Sequence, residues 1–257
     1  MSEPKILLLD IETSPIVGHV WKLFDQNVGL NQIEHDWAIL SWSAKWLGKK
    51  KIYYQDVRNQ KNKRDDSKIL KDIWRLMDEA DIIVGQNSKQ FDIKKLNARF
   101  IINGMKPPSS YRQHDTRLMA RKIFGFTSNK LEYLADNLCV KYKKLKHSKF
   151  SGHALWTECL KGNQAAWREM EKYNKHDVLA LEELYVKLRS WDAPINYDVF
   201  RDDEQNLCEC GHPSFVKWGF RFTNTGKFQR FKCRSCGRET VGKENLIPKE
   251  KRKTLRK

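Results

Sequence analysis

Lys5–Leu9 is a continuous apolar run, and two more strand-like segments, Trp37–Trp46 and Lys51–Tyr54, follow it before any helical spacing appears. A run that is apolar at every residue suits a strand buried on both faces of a sheet. Residues 58–66 are polar and read as a loop. Ser67 then suits the N-cap of a helix carrying Ile69, Ile73, Leu76 and Met77 at spacings of three and four. Asp81–Gly85 is another short apolar strand. Residues 90–103 space Phe91, Leu96, Phe100 and Ile101 as a helix does, and Tyr111–His114 reads as a last strand. Helical patterns return at 115–124, 129–139 and 163–190. Three consecutive strands followed by helix–strand alternation predict an α/β domain, a mixed sheet flanked by helices. Residues 141–153 are Lys-rich and read as a mobile basic loop.

The net charge of +17 favours a polyanionic partner. It is unevenly spread: residues 201–257 hold 15 Lys and Arg against 7 Asp and Glu. No apolar run reaches the roughly 18 residues that span a bilayer. The start of the chain enters a strand without a charged-then-apolar leader, so no secretory signal is expected. Together these predict a cytoplasmic protein, or one of the host cytoplasm if phage-encoded, with no membrane; the charge suits a polyanionic partner or serves solubility alone. Protein partners stay open.

Asp10 and Glu12 lie two apart at the C-terminal end of the first strand, so their side chains share one face. Neighbouring carboxylates repel, and a hard divalent cation such as Mg²⁺ removes that cost. Ordinary surface acids could also stand there. Asp92 follows the strand 81–85 and opens a helix, a junction where ligands gather in α/β folds. A helix first turn also favours an acid for its dipole alone. Tyr173 and Asp177 are four apart on one face of the 163–190 helix, while His176 points elsewhere around it.

The order D-x-E (Asp10, Glu12), N-x3-F-D (Asn87, Phe91, Asp92) and Y-x3-D (Tyr173, Asp177) resembles the DEDD-type 3′–5′ exonucleases, tyrosine subtype, of ribonuclease H-like fold. The stretch 173–181 and the segment Trp37–Trp46 are similar to B-family polymerase proofreading domains and their stand-alone relatives. Lys172 stands where the histidine subtype would carry His. The resemblance implies that Asp10, Glu12, Asp92 and Asp177 hold two Mg²⁺ or Mn²⁺. It implies that Tyr173 orients the water or the scissile phosphate, as a donor because an ordinary tyrosine pKa is about 10. It implies that Asn87 and Phe91 contact the terminal nucleotide; Phe91 equally suits a core position.

Six cysteines divide unevenly. Cys139 and Cys159 read as buried thiols in helical segments. Cys208, Cys210, Cys233 and Cys236 cluster, and each pair ends in Gly. A close cluster without a secretion signal suggests metal rather than disulfides. Aromatics and turn glycines between the pairs predict two short hairpins, each giving two thiolates to one structural Zn²⁺. The first pair is C-x-C rather than C-x2-C, with Leu207 in the place of a Cys, so His212 competes as a ligand. Lys227–Cys236 resembles the zinc ribbons of some transposases. Arg221, Lys227, Arg230, Lys232 and Arg234 interleave with aromatics, a pattern suited to phosphate contacts and base stacking, or to a solvated basic face.

The expected organisation is a ribonuclease H-like exonuclease domain over 1–192, a linker over 193–204, a zinc ribbon over 205–242 and a basic disordered tail over 243–257. The expected activity is metal-dependent 3′–5′ hydrolysis of phosphodiesters, releasing nucleoside 5′-monophosphates, with DNA favoured over RNA. The alternatives are an exoribonuclease, a structure-specific endonuclease of the same fold, and a non-catalytic nucleic-acid-binding regulator acting through the ribbon.

Overall fold

The structure is a computed structural model that describes residues 4–143, 145, 149–192, 196–200 and 206–255. In chain order the strands and helices of the first part are β1 (Ile6–Thr13), β2 (Val17–Gly18), β3 (Ile33–His35), β4 (Ile39–Trp46), β5 (Ile52–Asp56), α1 (Ser67–Asp78), β6 (Ile82–Gly85), α2 (Asp92–Ile102), β7 (Arg112–Asp115), α3 (Thr116–Ile123), α4 (Leu131–Leu138), α5 (Ala154–Leu160) and α6 (Gln164–Leu188). β8 (Phe215–Thr223), β9 (Gly226–Cys233), β10 (Glu239–Asn245) and the short α7 (Lys249–Arg252) follow. Two compact units result, one from Lys5 to Tyr185 and one made chiefly of Val186–Lys257.

The first unit is built on a five-stranded sheet in the order β5-β4-β1-β6-β7. β1 pairs antiparallel with β4 and parallel with β6. This is the mixed sheet expected from three strands followed by alternation, and helices flank it. β1 is central, so Ile6, Leu7, Leu8 and Leu9 are all buried, as an uninterrupted apolar run requires. The core adds Trp42, Ile69, Leu70, Ile73, Met77, Leu96 and Phe100. Cys139 and Cys159 are buried thiols, as expected.

Several local expectations change. Ser67 is the first helical residue of α1, and Asp66 is the cap. The Asp66 carboxylate does not cap: it takes a two-pronged bond from Arg99 (2.7 and 2.8 Å) and the Ile39 N–H (3.0 Å). A buried charge needs such partners, and a cap alone would leave it underpaired. The buried face of α2 is Ile93, Leu96 and Phe100, whereas Phe91 precedes the helix and Ile101 is 76% exposed. Leu96 and Phe100 are buried as their spacing predicts, while Ile93 takes the place of Phe91 and Ile101 on the core face. Helix α5 is the helical segment expected around Cys159, and the structure gives it the bounds Ala154–Leu160; residues 144 and 146–148 of the predicted basic loop lie outside the described residues.

Two long-range polar ties fix α6 against the sheet. Lys45, buried on β4, donates to Glu182 Oε1 at 2.6 Å, and the same oxygen accepts the Gly48 N–H. Such a pair holds register because either partner left alone would be a buried, unmatched charge. Gly85 ends β6 where a Cβ would stand 2.4 Å from Ser88 Cβ, so the chain can turn tightly there only as glycine. That turn leads directly into the segment ending at Asp92.

In the second unit β8, β9 and β10 form one antiparallel sheet in the order β10-β9-β8. The two separate hairpins expected become a meander sharing β9, because a third strand follows the second cysteine pair. β10 runs to Asn245 and α7 covers Lys249–Arg252, both inside the segment expected to be disordered. Of the predicted linker, 193–195 and 201–204 lie outside the described residues, and Tyr197–Phe200 form a 3₁₀ turn.

Candidate active site and candidate metal centre

Asp10 and Glu12 project from the end of β1, past the point where its parallel pairing with β6 stops at Leu8–Val84. The Ile11 N–H donates to Asp92 Oδ1 at 3.1 Å, so the first residue of α2 is bonded to the backbone between the two β1 acids. Asp177 sits on the buried side of α6 with Asn174 one turn before it. Asn174 Nδ2 donates to Asp10 Oδ2 at 2.5 Å, and its Oδ1 accepts from Ser41 at 3.3 Å. Three elements distant in the chain therefore deliver their carboxyl groups to one sheet edge.

The electrostatics show the same convergence. Burial, then repulsion from Asp92, Glu12 and Asp177, holds the Asp10 carboxyl well above the usual carboxylate range, against a smaller lowering by Asn174. Burial pushes Asp92 up to about 7, opposed by backbone N–H donors and reinforced by Asp115. Tyr173 is raised above its ordinary value by burial and then by Asp177, Glu12 and Asp10. Its hydroxyl therefore stays protonated at neutral pH and hydrogen-bonds toward Asp177.

Trp156 was missed by sequence reasoning. Its Nε1–H donates to Glu12 Oε2 at 2.9 Å, and its ring meets Tyr173 edge-on at 6.3 Å. Nothing in the sequence pairs a residue of α5 with one of β1. Asp115 was missed too, although an acid just before a helix is a capping signal. It accepts the Arg117 and Leu118 N–H groups of α3 and, through the same carboxylate, the Asn87 and Lys89 N–H groups. It thereby holds the segment in which Asn87 adopts a left-handed φ of 63°. Asn87 Oδ1 accepts from Arg117, and Phe91 is 38% exposed beside Asp92. His176 turns away, its Nε2 against the Lys143 carbonyl and its ring edge-on to Tyr142.

A carboxyl raised to about 7 costs stability when it must ionise. In the fold Asp92 keeps its proton to about pH 7, whereas unfolded it loses it near 3.9. The folded chain thus binds the extra proton between those values, and stability falls as pH rises through them. Asp92→Asn, which keeps an acceptor for Ile11, is expected to melt about 5 °C higher than the parent at pH 8 without added divalent cations. The difference is expected to vanish near pH 4, as read by calorimetry.

The cysteines form a second centre. Sγ atoms of Cys208 and Cys236 lie 3.5 Å apart, and those of Cys210 and Cys233 lie 3.7 Å apart. Among the described residues these four are the one group of His, Cys, Asp or Glu ligand atoms gathered within 4.8 Å of one another. A Zn–S bond of about 2.3 Å places tetrahedral sulfurs about 3.8 Å apart, so the quartet fits zinc without rearrangement. His212 does not join them: its Nδ1 accepts the Ser214 N–H at 3.1 Å. Burial raises Cys208. At Cys233 burial acts upward too, but N–H donors of Cys236 and Ser235 outweigh it and the thiol lies below its ordinary value. Arg221, Lys227, Arg230, Lys232 and Arg234 lie on β8, β9 and the turn after it. Arg230 pairs with Glu239.

A comparison with curated proteins gives no match. Among solved structures, the family B DNA polymerase from the hyperthermophilic archaeon Pyrobaculum calidifontis superposes with a TM-score of 0.51 at 13% identity, over 88% of this chain and 32% of that one. The likeness is one of fold. A sequence profile of the RNase H superfamily matches residues 7–189, which takes in β1, α2 and α6 with their acids. With the mixed sheet and its helices in the same stretch, the chain belongs to the RNase H superfamily, whose members are generally nucleases.

Proposed function

We propose that this chain is a metal-dependent nuclease of the DEDD type, tyrosine subtype, that removes nucleoside 5′-monophosphates from the 3′ end of a nucleic-acid strand, DNA favoured. The observation that carries this reading is the tying of three distant elements at one place: Asp92 Oδ1 accepts the Ile11 N–H between Asp10 and Glu12, and Asn174, one turn before Asp177, donates to Asp10 Oδ2. Buried acids that raise one another are costly unless cations share them. The donor set, carboxylate oxygens throughout, fits hard ions such as Mg²⁺ or Mn²⁺. Those four residues would hold the ions, which when bound lower the pKa of a water and neutralise charge on the phosphate.

The protein's own groups orient the reaction. Asn174 fixes the Asp10 carboxylate, and Trp156 fixes Glu12. Tyr173, kept protonated, donates a hydrogen bond to the attacking water or a phosphate oxygen. Phe91 is exposed enough to lie against the terminal base, and Asn87 presents its side chain from the segment that Asp115 holds. The cysteine quartet would hold one structural Zn²⁺, and Arg221, Lys227, Arg230, Lys232 and Arg234 would meet phosphates.

The test uses end-labelled DNA and RNA, single- and double-stranded, with Mg²⁺ or Mn²⁺, resolving product length. Mononucleotides appearing from the 3′ end of DNA are expected. Fragments of internal size would identify an endonuclease, faster trimming of RNA an exoribonuclease, and binding without any cleavage would end the enzymatic reading.

A further inference from the structure

The hairpin β8–β9 exposes aromatic rings that a small sheet would ordinarily cover. Phe222 is 69% exposed and Phe220 is 40% exposed. They stand two apart on one strand, so both rings lie on one face, with centroids 6.4 Å apart. Lys227 is the cross-strand partner of Phe222 and therefore shares that face. Its Nζ lies 4.0 Å from the Phe220 ring centroid and 5.8 Å from that of Phe222. A bulge at Gly219, whose φ is +76°, sets the phase that puts Phe220 beside Phe222.

Charge decides what such a face can meet. Lys227 is the cation that stands against the two rings; Arg221, Arg230 and Lys232 alternate onto the other face, and neither β8 nor β9 carries an acid. An apolar protein surface would gain nothing from this charge, while a polyanion would. Rings can stack only on bases that are not already stacked in a helix, so the face selects unpaired strands. The face offers rings and one ammonium rather than a fork of donors aimed at base edges, so it has little with which to read sequence.

We propose that Phe220, Phe222 and Lys227 form a sequence-tolerant platform for unpaired nucleic acid, two bases stacking on the rings with an adjacent phosphate at the lysine. This deepens the nuclease reading by naming the strand state that the second unit takes, and it rests on that reading only for its purpose. The test is fluorescence anisotropy with the full, zinc-loaded chain and no added Mg²⁺ or Mn²⁺, using oligo(dT), oligo(dA) and a blunt duplex of equal length. The parent is expected to bind both oligonucleotides with similar affinity and more tightly than the duplex. Phe220→Ala with Phe222→Ala is expected to weaken oligo(dT) binding by about tenfold or more while changing duplex binding less than about twofold. Because both rings are exposed, the variant should keep one zinc per chain, which is measured alongside; Phe220→Trp with Phe222→Trp should restore binding. Unchanged oligo(dT) binding in the alanine variant, or equal loss for strand and duplex, overturns the proposal. So does a strong preference for one base. No cleavage is needed for this readout, so its failure stands apart from failure of the nuclease reading, which the cleavage assay tests by itself.

Discussion

Asp10→Asn is expected to abolish release of mononucleotides, by more than about 100-fold, with the fold intact. The magnitude follows from position. Residues that merely orient a metal ligand cost about 10–100-fold when removed, so Asp10, which would be a ligand itself, should cost more. The asparagine is isosteric and can still accept from Asn174, so melting curves that match the parent assign the loss to chemistry rather than misfolding. Asp177→Ala should behave alike, since it faces the same cluster from α6. Trp156→Phe removes only the bond to Glu12 Oε2 and should fall within the smaller range. Initial rates on a labelled single strand with Mg²⁺, together with melting curves, separate these cases. Full activity in either aspartate variant removes the proposed chemistry.

Loss of zinc is expected to unfold β8–β10. Among the described residues from 206 to 255 the buried ones are Cys208, Gly226 and Cys233, so this segment has no apolar core. A sheet so exposed cannot offset its conformational entropy by burial. Structural zinc supplies about 10–16 kcal/mol in comparable small ribbons, enough to account for the fold alone. Cys233→Ser should lower zinc below one per chain and expose the amides of β8, β9 and β10 to hydrogen exchange. Protected strands in a zinc-free variant would show that the quartet is not what folds them.

The sheet was legible because β1 and β6 carry their burial in the sequence itself as runs of apolar residues, and β4 alternates Leu40, Trp42, Ala44 and Trp46 with polar residues. Each acid alone was ambiguous, a pair on one strand, a helix first turn, a carboxylate four after a tyrosine; it was their order along the chain, resembling a known family's, that singled them out as a candidate set. What escaped was what depends on partners far away. Asp66 ends a polar stretch that reads as a loop, and its partners Arg99 and the Ile39 amide lie 33 and 27 residues away. Trp156 lies in the short helix around Cys159, and its use is to hold Glu12, 144 residues earlier. Asp115 has two tasks, capping α3 and holding the 87–89 amides, and only the first is written locally. In α2 the spacing finds Leu96 and Phe100, but Ile101, apolar and adjacent, is exposed, because one more residue of the same kind turns about 100° off the buried face.

The bond between Asn174 and Asp10 spans 164 residues, and Lys45 meets Glu182 across 137. The ribosome therefore releases Asp10, Glu12 and Asp92 long before the helix that completes their set. A half-made chain has the first three acids and no Asp177, so the proposed metal-holding set stays incomplete until α6 emerges and docks.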